Sequence, residues 1–491
     1  MPGFRQKVAG FIRQLSNPPD NRPCDKQQSK SNECFIQRYL NGQDNGRDEP
    51  KIVHGRTPQQ LPPKTIGTLS KPVLSAMTGP NGGLTTVNKK RRHLSISDPD
   101  VRFIDTTDED SPPGSRDANS NTSTVNCNLV PLQKCESTPN AVELVRCGSG
   151  DACEESVIIA GVSDWESPTS NAYGRSVSLY EKHPVTGVPA GEPIADCFAV
   201  VSRKNSAILC LADGVNWGAK ASLAAKAAVH GCVDYLNQAL FGAHAVASTT
   251  EAFVALLRSF HAAHNLILEE NGMLTTLTAV LVLPLVAPQR YIACACNVGD
   301  SLAYVYSHKH GVREITQGSH DVHRMRDMRD ALGALGPVDG TNPELANLTC
   351  AMTEVEPGDI VFITSDGVSD NLDPVVGKFT GLSGVEAEQR HRLGLLRTED
   401  LLRNGVSGHG PPCHSAKGLV DLMLDFVTRL TSAKRRLLED EELYRSGGQT
   451  QQRAKRKQMC GKLAAVPGKL DHASVVAYTV HGSIAQEQQH A

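Results

Sequence analysis

The sequence predicts an α+β fold preceded by a long disordered N-terminal region. Two observations from about Ser156 onward predict the fold: short apolar strands follow one another as sequence neighbours, and amphipathic helices come in blocks rather than after every strand. The third observation is a contrast. Met1 to about Arg146 is rich in Pro, Ser, Asn, Gln and Asp, shows no period of 3.6 or 2, and cannot bury enough apolar surface to offset the entropy of ordering it. The expected layout is therefore 1–150 mostly disordered, a folded domain over 155–482 interrupted by a charged insert at about 380–468, and a flexible tail at 483–491.

Composition excludes several classes. Among 491 residues, Lys+Arg 50 against Asp+Glu 53 leave a net charge of −3, without the basic excess of a dedicated nucleic-acid binder. No apolar run approaches the ~18 residues of a membrane span. The longest, Leu277 to Val286, is interrupted by Pro284. The N-terminus has no apolar core of the signal-peptide kind, so a cytoplasmic or nuclear protein is expected, and a monomer. Phe4, Val8, Phe11, Ile12 and Leu15 fall on one helical face opposite Arg5, Lys7 and Arg13, leaving organelle targeting as an alternative. Lys89–Ser95 places a serine three residues after an arginine pair, resembling a target of a basophilic kinase. Six of the 14 cysteines (Cys197, Cys210, Cys232, Cys294, Cys296 and Cys350) sit in apolar stretches, and no C-x-x-C pair exists, so they read as buried thiols rather than zinc ligands.

Along the chain, Val157–Ala160, Phe198–Val201, Ile208–Ala212, Leu277–Leu283, Tyr291–Val298, Leu302–Tyr306, Ile360–Thr364 and Val475–Val480 read as strands. Lys220–Leu240 and Glu251–Leu268 carry apolar residues at i, i+3, i+4 spacing and read as helices. Within the charged segment, Leu419, Leu422, Met423, Phe426 and Leu430 mark a further amphipathic helix, followed by blocks of alternating charge that end in Arg453–Lys457.

The chemistry lies in four Asp corners at strand ends: Ala212-Asp213-Gly214-Val215, Asn297-Val298-Gly299-Asp300-Ser301, Thr364-Ser365-Asp366-Gly367 and Leu470-Asp471-His472-Ala473. A single Asp-Gly is also the ordinary hairpin turn. Four such corners in one domain offer the oxygen ligands that Mg²⁺ and Mn²⁺ prefer.

In this ordered set the chain resembles the metal-dependent serine/threonine phosphatases of type 2C, over about Val157 to Val480. "LCLADGVN" at Leu209–Asn216, "NVGDS" at Asn297–Ser301, "DIVFITSDGVSD" at Asp359–Asp370 and "LDHASVV" at Leu470–Val476 carry the resemblance, together with Gly272–Thr278. It implies a four-layer α-β-β-α sandwich of two antiparallel sheets flanked by helices, with metals at one end. It further implies that Asp213 bridges two Mn²⁺ or Mg²⁺ ions, that the Gly214 carbonyl binds one of them, and that Asp366 and Asp471 hold the second. Asp196 takes the place of the acidic residue on the preceding strand, and Asp300 would help Asp366 hold a third, weaker ion. Two such cations ~3.5–4 Å apart lower the pKa of a shared water and neutralise a phosphoryl group. The implied activity is hydrolysis of phosphoserine or phosphothreonine on a phosphoprotein substrate, with Asp213 and Asp366 as the catalytic carboxylates.

The sequence also departs from the family pattern. Val215 stands where a histidine usually serves as general acid, although some branches carry Asp-Gly-Val. Ala195 replaces a frequent Glu, and His472 a usual Asn. Arg175 is the best candidate for the phosphate-binding arginine. His320, Asp321 and His323 form a further polar cluster in the family's variable flap. These departures keep open an alternative: a catalytically impaired pseudophosphatase that acts as an interaction module.

Overall fold

The protein is described by a computed structural model. It covers residues 49–87, 158–242, 246–316, 333–379, 387–441, 459 and 461–481. The Phe4–Leu15 helix, the Lys89–Ser95 string, the His320–His323 cluster and Arg453–Lys457 lie outside these residues.

Strands and helices follow in chain order. They are β1 (Val53–Gly55), β2 (Val73–Gly79), β3 (Glu166–Ser167), β4 (Ala172–Ser178), β5 (Cys197–Arg203), β6 (Ala207–Ala212), α1 (Ala219–Phe241) and α2 (Thr249–Glu269). Next come β7 (Leu277–Pro284), β8 (Tyr291–Val298), β9 (Leu302–Ser307), β10 (Gly311–Glu314), β11 (Ala334–Asp339), β12 (Asn342–Glu344), β13 (Thr349–Val355) and β14 (Ile360–Thr364). The series ends with α3 (Asp366–Leu372), α4 (Ala387–Asn404), α5 (Ala416–Leu430), α6 (Ser432–Leu438) and β15 (His472–Thr479).

Two antiparallel sheets form the centre. One has the order β1-β13-β8-β7-β6-β5-β2-β3, the other β10-β9-β14-β15-β4; β11 and β12 pair separately. Period-2 alternation dictates how the sheets stack, because successive side chains leave a strand on opposite faces. On β5, Cys197, Ala199 and Val201 turn toward α1 and α2, whereas Phe198 and Val200 meet the second sheet. On β14, Val361 and Ile363 fill the same inter-sheet core, and Ile360 and Phe362 face α3–α5. The result is helix, sheet, sheet, helix, as expected from the resemblance.

The boundaries need two corrections. Residues 49–87 were expected to belong to the disordered 1–150 region, yet β2 pairs with β5 along Val73–Gly79 and β1 pairs with β13. Leu61, Ile66, Ala76, Leu84 and Val87 are buried in the core beside α1 and α2. The segment is too polar on average to look folded alone, and its few apolar residues are stabilised by a sheet built from distant sequence. The second correction concerns the insert at about 380–468. Its helix α5 buries Leu419, Val420, Met423 and Val427 against β4 and β15, so it is part of the outer layer.

Two strand expectations also shift. Val157 is outside the described residues, and Ile159 makes only an isolated bridge with Val162. β13, not expected, is a full strand at Thr349–Val355. The six cysteines named above are all buried free thiols, joined by Cys413.

Candidate metal centre

Antiparallel pairing brings the Asp corners to one end of the sandwich. The start of β5 lies opposite the end of β6, Cys197 against Ala212, which places Asp196 beside Asp213. The end of β14 pairs with β15 and with the start of β9, Thr364 against Val475 and Leu302, which places Asp366 near Asp471 and Asp300. Residues separated by up to 275 positions in the chain thus share one rim.

The local chemistry holds these corners rigidly. The Thr276 hydroxyl accepts from the Asp213 backbone N–H at 3.0 Å and contacts the Ser301 hydroxyl at 2.9 Å. The Thr275 hydroxyl donates to the Asp213 carbonyl at 2.9 Å. Asn297 donates to Thr278 Oγ1 at 2.7 Å and to the Ser301 carbonyl. This network ties the Asp213 turn to the Gly299-Asp300-Ser301 turn. Two glycines are required by space: a Cβ at Gly214 would meet the Ala221 carbonyl oxygen at 2.5 Å, and one at Gly367 would meet that of His472 at 1.9 Å.

The electrostatics reflect the crowding. Asp213 is pushed well above the usual carboxylate range, first by burial and then by Asp196, Asp366, Asp471 and Asp300. Asp300 is pushed up to about 7 by burial and Asp366, against the pull of Lys469. Asp196, with no exposed surface, is pushed up to about 6 by burial, against His472 and the Ser474 hydroxyl. Its Oδ2 accepts from Ser474 at 2.6 Å and the Ser365 hydroxyl adds a further pull, while its Oδ1 has no well-formed hydrogen bond among the described residues. A buried carboxylate oxygen left without a donor is costly unless a cation faces it.

The donors fit a hard divalent cation: carboxylates, an orphaned buried oxygen and a turn carbonyl at Gly214. Among the described residues, no three His, Cys, Asp or Glu side chains are already arranged as the ligand set of a metal ion. An ion binding here would have to draw its ligands together.

Two residues that sequence reasoning missed dominate the Asp366–Asp471 side. Lys469 Nζ pairs with Asp366 Oδ2, with Asp370 Oδ2 at 2.8 Å and with Asp471 Oδ2 at 3.0 Å. Burial works against its charge, and Asp370, Asp366 and Asp471 overcome that and raise its pKa. Asp370 is one helical turn after Asp366 on α3 and shares its face. Lys469 is two residues before Asp471, and its Nζ reaches that carboxylate. These spacings were the available signals.

The second is Tyr180. Its hydroxyl donates to Asp471 Oδ1 at 3.1 Å and accepts from Trp217 Nε1 at 2.9 Å, and the Tyr180 and Trp217 rings meet edge to face at 4.8 Å. Trp217 remains 59% exposed, so a large apolar surface stands at the rim.

The departures also find places. His472 is buried; its Nδ1 accepts from the Ala195 N–H at 3.3 Å and its Nε2 donates to the Gly191 carbonyl. The imidazole therefore fixes the loop that enters Asp196 and lies close enough to act on that carboxylate. Arg175 meets Asp421 of α5 at 3.4 Å, on the outer layer. Val215 brings no proton donor in its side chain.

Comparison with known proteins gives the family. The family profile described as Protein phosphatase 2C matches residues 188–397. The PP2C-like domain-containing protein CG9801 of Drosophila melanogaster is 36% identical over an alignment of 679 residues, taking in 98% of this chain and 96% of that protein. The chain belongs to the protein phosphatase 2C family. Among solved structures, similarity extends to PppA, a regulatory component of T6SS in Pseudomonas aeruginosa, at 17% identity over 62% of this chain and 97% of that one, with a TM-score of 0.33. The Streptococcus agalactiae serine/threonine phosphatase matches at 14% identity over 62% of this chain and 100% of that one, with a TM-score of 0.32. No described helix of this phosphatase 2C relative is long and apolar enough to cross a membrane.

Proposed function

We propose that this protein phosphatase 2C domain hydrolyses phosphoserine or phosphothreonine esters on proteins with the help of Mn²⁺ or Mg²⁺. One observation carries the reading: Asp196, Asp213, Asp300, Asp366 and Asp471, from five strand ends, act on one another at a single rim. That arrangement is costly unless cations or protons offset it.

In this reading Asp213 and the Gly214 carbonyl form the centre of the ligand set, with Asp196 on one side and Asp366, Asp471 and Asp300 on the other. Bound divalent ions supply a water of lowered pKa and charge neutralisation for the phosphoryl oxygens. The chain's own residues orient the site. Thr275 and Thr276 fix the Asp213 turn, Tyr180 holds Asp471, and His472 holds the loop before Asp196. Protonation of the leaving group falls to solvent, because Val215 has no acid to donate; a missing general acid costs ~10²–10⁴-fold in rate.

A second reading, an impaired phosphatase serving as an interaction module, is favoured by one specific observation: Lys469 already neutralises part of the site. Hydrolysis of p-nitrophenyl phosphate with Mn²⁺ separates the two. A metal-dependent rate that Asp213→Asn lowers at least about 100-fold supports the enzyme. Equal rates in both proteins contradict it.

A further inference from the structure

We propose that the Lys469 ammonium is a built-in cation that takes the place of one divalent ion, so that the site binds a single ion on its Asp213 side. The inference rests on the metal-centre reading above but not on turnover. Asp366 and Asp471, the pair expected to hold a second ion, both face Lys469 Nζ, together with Asp370. These carboxylates converge on the ammonium, which occupies the point they share.

The lysine is placed by more than charge. Its backbone N–H donates to Asn371 Oδ1 at 2.8 Å, and Asn371 Nδ2 donates to the Lys469 carbonyl at 3.0 Å and to the Gly367 carbonyl at 2.7 Å. Lys434 Nζ donates to the Gly468 carbonyl just before it. Asn371 is fully buried on α3, the helix that carries Asp366 and Asp370. The lysine and two of its acidic partners are therefore locked to the same short helix.

The other side of the rim is different. Asp196 Oδ1 is buried without a well-formed hydrogen bond, and no salt bridge ties Asp196 or Asp213 among the described residues. One ammonium supplies a single positive charge against six carboxylates, counting Asp196, Asp213, Asp300, Asp366, Asp370 and Asp471. The uncompensated oxygens mark the Asp213 side as the place of a divalent ion, bound in exchange for the protons that otherwise offset them. A tethered cation also has a local concentration fixed by the fold, so a free ion must compete with it for Asp366 and Asp471.

Calorimetric titration of the full-length chain with MnCl₂, beside Lys469→Met and Asp213→Asn, tests this. The expected result is one ion per wild-type chain and two per Lys469→Met chain, the added ion binding at least tenfold more tightly than any second ion in the wild type. Asp213→Asn should lose the first ion. Should the methionine variant fail to fold, Lys469→Gln provides the same removal of charge with a polar stem. Two ions of equal affinity in wild type and variant would overturn the inference while leaving the metal centre standing. If neither protein binds Mn²⁺, the metal-centre reading falls and this inference with it.

Discussion

Asp213 is the residue on which the chemistry converges, and its neighbours explain why it stands where it does. Gly214 lets the chain turn directly after β6, against the Ala221 and Ala195 carbonyls, and Thr276 anchors the Asp213 backbone from β7's approach. Gly367 plays the matching part on α3. Because a methyl there would lie 1.9 Å from the His472 carbonyl oxygen, Gly367→Ala must push α3 away from β15. We expect it to destabilise the domain by about 1–3 kcal/mol or more, seen as a lowered urea midpoint. An unchanged midpoint would mean that α3 yields without cost. At this scale the sequence was informative wherever the signal is local. An Asp beside a Gly at a strand end is visible in a few residues, and the four corners were read from such runs. Tyr180 was not legible, because its partner Asp471 lies 291 positions away, and the short spacing of Lys469 and Asp471 does not reveal that Asp366, 103 positions away, joins them. The ion pair of Arg175 with Asp421 was likewise not legible, because only the packing of α5 brings the two together.

At the scale of elements, periodicity identified what periodicity can. β5, β6, β7, β8, β9, β14, β15, α1 and α2 bury continuous apolar runs or clear stripes, and each lies close to its expected span. The elements that escaped are those whose burial is conferred by neighbours. β2 reads Val73-Leu74-Ser75-Ala76-Met77-Thr78-Gly79, a mixture that looks unremarkable until β5 supplies its hydrogen bonds. Helix α5 was recognised as amphipathic but assigned to an insert, since charged blocks follow it directly. A chain that begins at residue 88 should show what β1 and β2 contribute. It loses the pairing along β5 and the buried Leu61, Ile66, Leu84 and Val87, each worth ~1.5–3 kcal/mol of burial. Loss of a cooperative thermal transition is expected. A melting curve like that of the full chain would place these strands outside the stable core.

For the whole molecule, the four layers are the means of holding acidic groups that repel one another. Two sheets and two helical layers supply the apolar burial; the rim consumes part of that stability by keeping Asp213, Asp300 and Asp196 out of water. The sign of the resulting pH dependence follows from linkage. Carboxyls raised from an ordinary value near 4 to about 6 at Asp196 and about 7 at Asp300 bind more protons folded than unfolded. Their contribution is therefore present at low pH and is lost as pH rises across roughly 4 to 7. Divalent ions replace those protons, so their stabilisation should grow over the same window.

The melting temperature of the full chain, followed from pH 5 to pH 8 with EDTA and with Mn²⁺, tests the convergence of these carboxylates on a cation most directly. The metal-free midpoint should fall as the pH rises toward 7, and Mn²⁺ should restore it by several degrees at pH 7.5 but little at pH 5. Superimposable curves with and without Mn²⁺ at every pH would contradict a metal centre at this rim.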